Sequence, residues 1–242
     1  MNEVEIIFEN EDFLVINKPA GLLVHEDGNG DETTVVDWFL QHYPDAKGVG
    51  EPRILHGKEL ERSGIVHRLD KDTSGIMLLA LNQDSFANLK QIFLDRVVKK
   101  EYRAIVYGNM KDKWGTINRS IGRNAKDFRL RSAERGAKGT LRESVTEWEQ
   151  LKCGEYQGEK FASLRLRPKT GRMHQLRVHM KAVDHPIVGD NLYAGAKLKQ
   201  SNNLGIERLA LHAHKLLFEL NGEQYDFTVP VPNDIEEAEK LF

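Results

Sequence analysis

His67-Arg68-Leu69-Asp70-Lys71-Asp72-Thr73-Ser74-Gly75 runs directly into Ile76-Met77-Leu78-Leu79-Ala80-Leu81. The second stretch is short, unbroken and apolar, with turn residues before it and Asn82 after it. It predicts a buried strand. The first stretch must then be a loop held at the mouth of a sheet. Reactive side chains are often carried there, because a rigid strand fixes a loop that still reaches solvent. An arginine beside a carboxylate favours its charged form. An ionised, positioned carboxylate can act as nucleophile, base or metal ligand. By residue type alone the stretch is also an ordinary turn, since Asp, Thr, Ser and Gly are turn formers.

Upstream, residues 4–8 and 13–17 are apolar, β-branched runs joined by Glu9-Asn10-Glu11-Asp12, a hairpin signal. Asn17-Lys18-Pro19-Ala20-Gly21 breaks the second strand and residues 22–24 are expected to resume it. Thr34 can cap a helix with Val36, Phe39, Leu40 and Tyr43 on one face, ended by Pro44. Residues 45–63 show no period and read as a surface loop. Downstream, Asp84 can cap a helix carrying Phe86, Leu89 and Phe93. In residues 99–108, Tyr102, Ala104 and Val106 alternate with Arg103, Ile105 and Tyr107, a strand pattern. Residues 114–121, 144–151, 161–167 and 224–229 read as further strands. A helix is expected from Met173, with Leu176, Met180 and Val183 as its apolar stripe. A short amphipathic helix is expected from Asp234. Strands outnumber helices, and long gaps without crossover helices favour an α+β fold with a mixed, mostly antiparallel central sheet and flanking helices.

The chain has 242 residues, 40% hydrophobic and 30% charged, which suits a soluble, globular protein with a sizeable core. No apolar run has membrane length, and no leader is read at the start. Cys153 is the single cysteine, which excludes an internal disulfide and fits a reducing, cytoplasmic compartment. Net charge is −2, so the protein is no indiscriminate polyanion binder. Charge is unevenly placed, however. Residues 119–142 hold Arg119, Arg123, Lys126, Arg129, Arg131, Arg135, Lys138 and Arg142 against Asp127 and Glu134 alone. That asymmetry predicts a phosphate-facing loop. His174, His179, His212 and His214 raise a metal reading, but no Cys or acidic residue stands at recognisable ligand spacing, so no metal is expected.

His-Arg-Leu-Asp followed by Thr-Ser-Gly resembles the central motif of the RluA-type RNA pseudouridine synthases, enzymes that isomerise uridine in RNA. Val-Ile-Asn-Lys-Pro-Ala-Gly-Leu, ending at Leu22, resembles the family's opening motif. Lys100-Glu101-Tyr102-Arg103-Ala104 resembles its second landmark, and Gly171-Arg172-Met173-His174-Gln175-Leu176-Arg177 its third. His185-Pro186-Ile187-Val188-Gly189-Asp190 and Leu209 to His214 continue the pattern. The likeness covers about residues 6–230, in the family's order. It implies one catalytic domain over 1–242, without the small RNA-binding domain that precedes it in many members.

The resemblance implies that Asp70 is the catalytic residue, that Tyr102 lines the active site, and that Arg177 pairs with the catalytic Asp. It implies that Arg68 fills the gap left by a flipped uridine or holds a phosphate. Lys99, Lys100, Arg129 and Arg131 are expected on the RNA backbone, joined by Arg172 and His174. The implied partner is ribosomal or transfer RNA. No cofactor is expected, because the isomerisation transfers neither electrons nor a group to a second molecule. A monomer is expected. Two other readings remain at this point. One is an aspartic-type hydrolase built on Asp72-Thr73-Ser74-Gly75, for which a second such motif is missing. The other is a catalytically silent RNA-binding or RNA-folding module.

Overall fold

The apolar run after Gly75 does form a strand, and every residue of it is buried. The computed structural model describes residues 3–26, 32–55, 57–127, 129–195 and 203–242. In chain order the elements are β1 (Glu5–Glu9), β2 (Phe13–Lys18), α1 (Val35–His42), β3 (Arg53–Leu55), β4 (Lys58–Leu60), β5 (Ser74–Ala80), α2 (Gln83–Leu94), β6 (Lys99–Tyr107) and β7 (Trp114–Asn118). They continue with β8 (Ile121–Asn124), β9 (Arg131–Ala133), β10 (Ala137–Arg142), β11 (Val145–Tyr156), β12 (Glu159–Pro168), α3 (Gln175–Ala182), β13 (Leu211–Leu220), β14 (Glu223–Thr228) and α4 (Asn233–Lys240). Every strand pair with a defined register is antiparallel, and a single isolated bridge, Leu23 to Thr34, is parallel. The fold is α+β, as expected. The chain divides into two compact units, Met1–Val98 with Lys215–Val229 and Lys99–His214 with Pro230–Phe242.

In the first unit, β2 pairs with β1 on one edge and β5 on the other, with Ile16 opposite Met77 and Leu14 opposite Leu79. Alternation sends Ile76, Leu78 and Ala80 into one cluster with Phe13, Val15, Phe86 and Leu89. α1 begins where expected: Thr34 accepts from the Asp37 N–H, and Asp37 returns a bond to the Thr34 N–H. α2 is capped by Asn82 with Ser85, not by Asp84. Asn82 is the last extended residue after β5, so its amide oxygen reaches the first free N–H groups. Asp84 instead lies in the first turn, where its charge faces the helix's positive end.

Two other expectations in this unit need correction. Residues 22–24 do not resume β2; Leu23 forms only its bridge to Thr34. Residues 45–63 are not a bare loop, since a short 3-10 turn (Pro44–Ala46) and the β3–β4 hairpin lie there, and Leu60 is buried. The strands are three residues each, too short to show a period.

The second unit's sheet runs β6, β12, β11, β7. Tyr102 pairs with Leu166 and Ala104 with Leu164. Ala104, Val106, Leu164 and Leu166 share a core with Leu176 and Met180 of α3 and Ile235 and Ala238 of α4. The expected single strand over 114–121 splits at Arg119-Ser120, because β7 pairs with β11 whereas β8 joins β9 and β10 in a separate small sheet. The basic segment is therefore partly paired strand, which carries Arg123, Arg131, Lys138 and Arg142, while Arg119, Lys126, Arg129 and Arg135 lie between the strands. α3 starts at Gln175, two residues later than expected, because His174 holds a left-handed φ of 55° that no helix continues.

His212 of β13 is fully buried. Burial, then the charges of His214 and Arg208, push its pKa down to about 4. His179 is lowered too, mainly by burial. The unfolded chain takes up these protons at about pH 6.5, so the folded state loses stability as pH falls below that value. Urea unfolding should show up to about 3 kcal/mol lost to His212 between about pH 6.5 and about 4. His212→Gln should flatten that slope, leaving the share of His179.

Candidate active site

The Asp70 loop is tied down from three directions within the first unit. Leu69 is buried and anchors it, while Arg68 is exposed and Asp70 half-buried. The Thr73 N–H donates to the Asp70 carbonyl at 3.2 Å, closing the turn. Beneath the turn lies Lys18, fully buried at the end of β2. Its Nζ donates to the carbonyls of Pro19 at 2.8 Å, Leu22 at 2.8 Å and Lys71 at 3.0 Å. The Gly21 N–H donates to the same Lys71 carbonyl at 2.9 Å, with Gly21 at φ 84°. The break Asn17 to Gly21 thus exists to wrap three carbonyls around one ammonium, next in sequence to Asp70.

His67 fixes the other side of the loop. The Leu78 N–H donates to His67 Nε2 at 2.9 Å, so that nitrogen is an acceptor and the ring is neutral with its proton on Nδ1. The ring stacks on Phe93 of α2 at 4.4 Å. Arg68 donates from Nη1 to His25 Nε2 at 2.8 Å, and His25 Nδ1 donates to the Glu26 carbonyl at 2.7 Å. His25 is buried, so the exposed Arg68 side chain is steered by a ring with a fixed tautomer.

In the second unit Tyr102 is half-buried against the core, and Arg177 is buried on α3. Asp190 takes Arg177 Nε and Nη2 at 2.8 Å each, a fork-to-fork pair. Asp190 also accepts from the Leu192 and Tyr193 N–H groups at 3.0 Å. The Arg177 guanidinium lies 5.1 Å from the Tyr193 ring centre. The Arg131 N–H donates to Tyr193 Oη at 3.0 Å, and that hydroxyl contacts His174 Nδ1 at 2.8 Å. One network therefore binds Arg177, His174 and the start of β9. The turn before Asp190 is tight: a Cβ on Gly189, at φ 73°, would lie 1.9 Å from the Arg208 carbonyl oxygen. His179 accepts at Nδ1 from Thr146 Oγ1 and donates from Nε2 to the Arg119 carbonyl. It pins α3 rather than binding metal.

The remaining residues expected at RNA divide between engaged and open positions. Arg172 Nε donates to the Glu143 carbonyl at 3.0 Å. Arg129 is turned onto Asp127, with Nη2 to Oδ2 at 2.7 Å. Lys99 is exposed at the start of β6, and Lys100 is half-buried with Nζ close to Gly171. Lys18, Asp190 and Tyr193 were not singled out by sequence reasoning. Lys18 and Asp190 stand inside stretches that match family patterns, which was the available signal; Tyr193 carried none. Among the described residues no group of three or more His, Cys, Asp or Glu side chains is placed to hold a metal ion. Among them, too, no helix is long and apolar enough to cross a membrane.

Residues 12–182 match the family described as RNA pseudouridylate synthase. The chain is 38% identical over 236 residues to an uncharacterized RNA pseudouridine synthase of Synechocystis, covering 96% of this chain and 67% of that protein. It is 35% identical over 244 residues to ribosomal large subunit pseudouridine synthase D of Buchnera aphidicola, covering 97% and 72%. Among solved structures, human RNA pseudouridylate synthase domain containing 1 superposes with a TM-score of 0.75 at 29% identity, covering 94% of this chain and 83% of that one. The chain belongs to the RNA pseudouridylate synthase family. The RluA-type resemblance of its motifs holds.

Lys18→Met should keep the volume of the side chain but take the ammonium from the Pro19 and Leu22 carbonyls and leave the Lys71 carbonyl to the Gly21 N–H. Removing hydrogen bonds to a charged group costs about 1.5–3 kcal/mol each before relaxation, so a net loss of at least about 3 kcal/mol is expected. Thermal unfolding measures it. Asp190→Asn should destabilise by about 3–5 kcal/mol, because the Arg177 charge stays buried without its carboxylate; chemical denaturation at neutral pH reads this directly.

Proposed function

We propose that this RNA pseudouridine synthase uses Asp70 as its catalytic carboxylate on a uridine of large-subunit ribosomal RNA. The observation that carries the reading is the loop itself. His67 and Lys18 hold the backbone on both sides of Asp70, leaving a half-buried carboxylate on a rigid turn. A preorganised group loses little freedom when the reaction begins.

The reaction breaks the bond between ribose and a base nitrogen, turns the base, and rejoins it through carbon 5. Asp70 serves this by attacking the anomeric carbon, by attacking the base, or by taking a proton from the sugar. Arg177 is the cation of the same reading, with its guanidinium oriented by Asp190. Tyr102 stacks on the uracil and serves the last proton transfer. The uridine must first leave its stack, which costs a few kcal/mol, about the scale of base flipping generally. Arg68 takes the vacated place or holds a phosphate. Lys99, Lys100, Arg129, Arg131, Arg172 and His174 hold the surrounding RNA, so binding weakens with salt.

The names of relatives that modify large-subunit ribosomal RNA support that substrate over transfer RNA. In this reading the two units work as one catalytic domain, in a cytoplasmic monomer without a cofactor. Family membership leaves no role for the hydrolase reading of Asp72-Thr73-Ser74-Gly75, whose Thr73 and Ser74 are buried at the start of β5.

Ribosomal RNA transcripts tritiated at uridine carbon 5 test the reading. Wild type should release tritium, and Asp70→Asn should lose about 1,000-fold or more of that rate. Equal release by both would remove Asp70 from the chemistry. Carbodiimide sequencing of ribosomal RNA from cells with and without the gene identifies the uridine.

A further inference from the structure

The small sheet of β8, β9 and β10 and the turn before α3 enclose a pocket of about 490 Å³. Its wall carries Arg123, Arg131, Lys138, Arg142 and Arg172, and among the described residues no acidic side chain lines it. Among the described residues no carboxylate pairs with Arg123, Lys138 or Arg142. This contrasts with Arg103, Arg165 and Arg167 of the neighbouring large sheet, which meet Glu239, Glu101 and Glu149. Five like charges around one hollow repel each other in the folded protein, an arrangement that an anionic ligand relieves.

The pocket is not only cationic. Ile121 and Met173 also line it, and Met173 is 47% exposed, a large apolar side chain left in contact with solvent. A thioether packs well against a flat aromatic ring. The volume lies within the range of pockets that hold a drug-sized molecule, about 300–1,000 Å³. A lone phosphate would leave most of it empty. Cations for a phosphate beside an apolar face for a ring are what a nucleotide requires.

Two of the cations are already oriented. Arg172 is held at Nε by the Glu143 carbonyl and Arg131 at Nη1 by the Leu130 carbonyl at 3.0 Å, while the Arg131 backbone N–H is fixed on the Tyr193 hydroxyl. Asp70, Tyr102 and Arg177 are not in the wall. A nucleotide bound here therefore lacks the carboxylate that the isomerisation needs.

We propose that this pocket holds one nucleotide of the substrate RNA other than the uridine being isomerised, its phosphate on the arginines and its base against Met173. The proposal rests on the reading of the protein as an RNA-modifying enzyme and adds a second point of recognition to it. Such a site selects RNA that carries an unpaired nucleotide at a fixed distance from the target.

The test compares binding of a short mixed-sequence single-stranded RNA with binding of an abasic ribose-phosphate strand of equal length, across a salt series. Wild type should bind the RNA more tightly than the abasic strand. Arg123→Gln combined with Lys138→Gln, both exposed positions, should weaken both probes. It should also reduce the salt slope by about 1.4, at about 0.7 per lost single-strand phosphate contact. Met173→Ser should weaken the RNA about fivefold and leave the abasic strand unchanged. Equal binding of the two probes by wild type, or unchanged affinities in both variants, would overturn the proposal. Displacement of the RNA by oligoglutamate as readily as by the abasic strand would overturn it in favour of an acidic protein partner. The tritium assay is read separately. Tritium retained with these affinity differences intact means that the catalytic reading has failed and the pocket stands; tritium released with affinities unchanged means the reverse.

Discussion

A single ammonium group, that of Lys18, sets the geometry on which the proposed chemistry depends. A fully buried lysine carries a large desolvation penalty unless its three protons are taken up. Here the carbonyls of Pro19, Leu22 and Lys71 accept them. The first two come from the chain's own turn after β2, and the third comes from the loop that carries Asp70. The cost of burying the charge is met only when that loop occupies its place. Folding of the first unit and placement of Asp70 are thus one event.

The second unit solves a similar problem with an ion pair. Arg177 and Asp190 are both buried, and a buried pair is stable only if its remaining polar atoms are satisfied. The Leu192 and Tyr193 N–H groups supply two of those bonds. The loop carrying Asp190 is itself fixed by strand-like bonds: Val188 donates to Ile105, and Ala210 donates to Val188. Its route leaves no room for a side chain at position 189. Both units therefore hold a residue of the proposed site by threading an irregular loop against a regular strand. Neutral imidazoles, those of His67 and His179, complete the fastening because each can donate on one side and accept on the other.

Much of this was legible in the sequence, and the reason is period. The run at 76–81, the alternation at 99–108, and the stripe of Leu176 and Met180 are repeats long enough to declare a strand or a helix. β3 and β4 were not legible, because three residues carry no period. The β8 to β10 sheet was hidden for another reason. β10 is almost wholly exposed, so it lacks the alternation of apolar and polar residues that betrays a half-buried strand, and its charge suggested a loop. The Asp70 loop was found by its motif, and so was Arg177. Lys18 stands inside a family motif without a role in sequence, since a lysine beside Pro-Ala-Gly looks like a surface turn until the distant Lys71 carbonyl joins two local ones around it. Tyr193 joins His174 and Arg131 through a phenolic oxygen, a contact across long sequence separation that local pattern cannot announce.

The small sheet rests on a cluster of only four buried side chains, Ile121, Ala133, Val178 and Tyr193. The unit's main core is several times larger. Regions with few buried contacts open at a fraction of the free energy of global unfolding. Separation of β8 to β10 from α3 therefore breaks far fewer buried contacts than opening of the large sheet does.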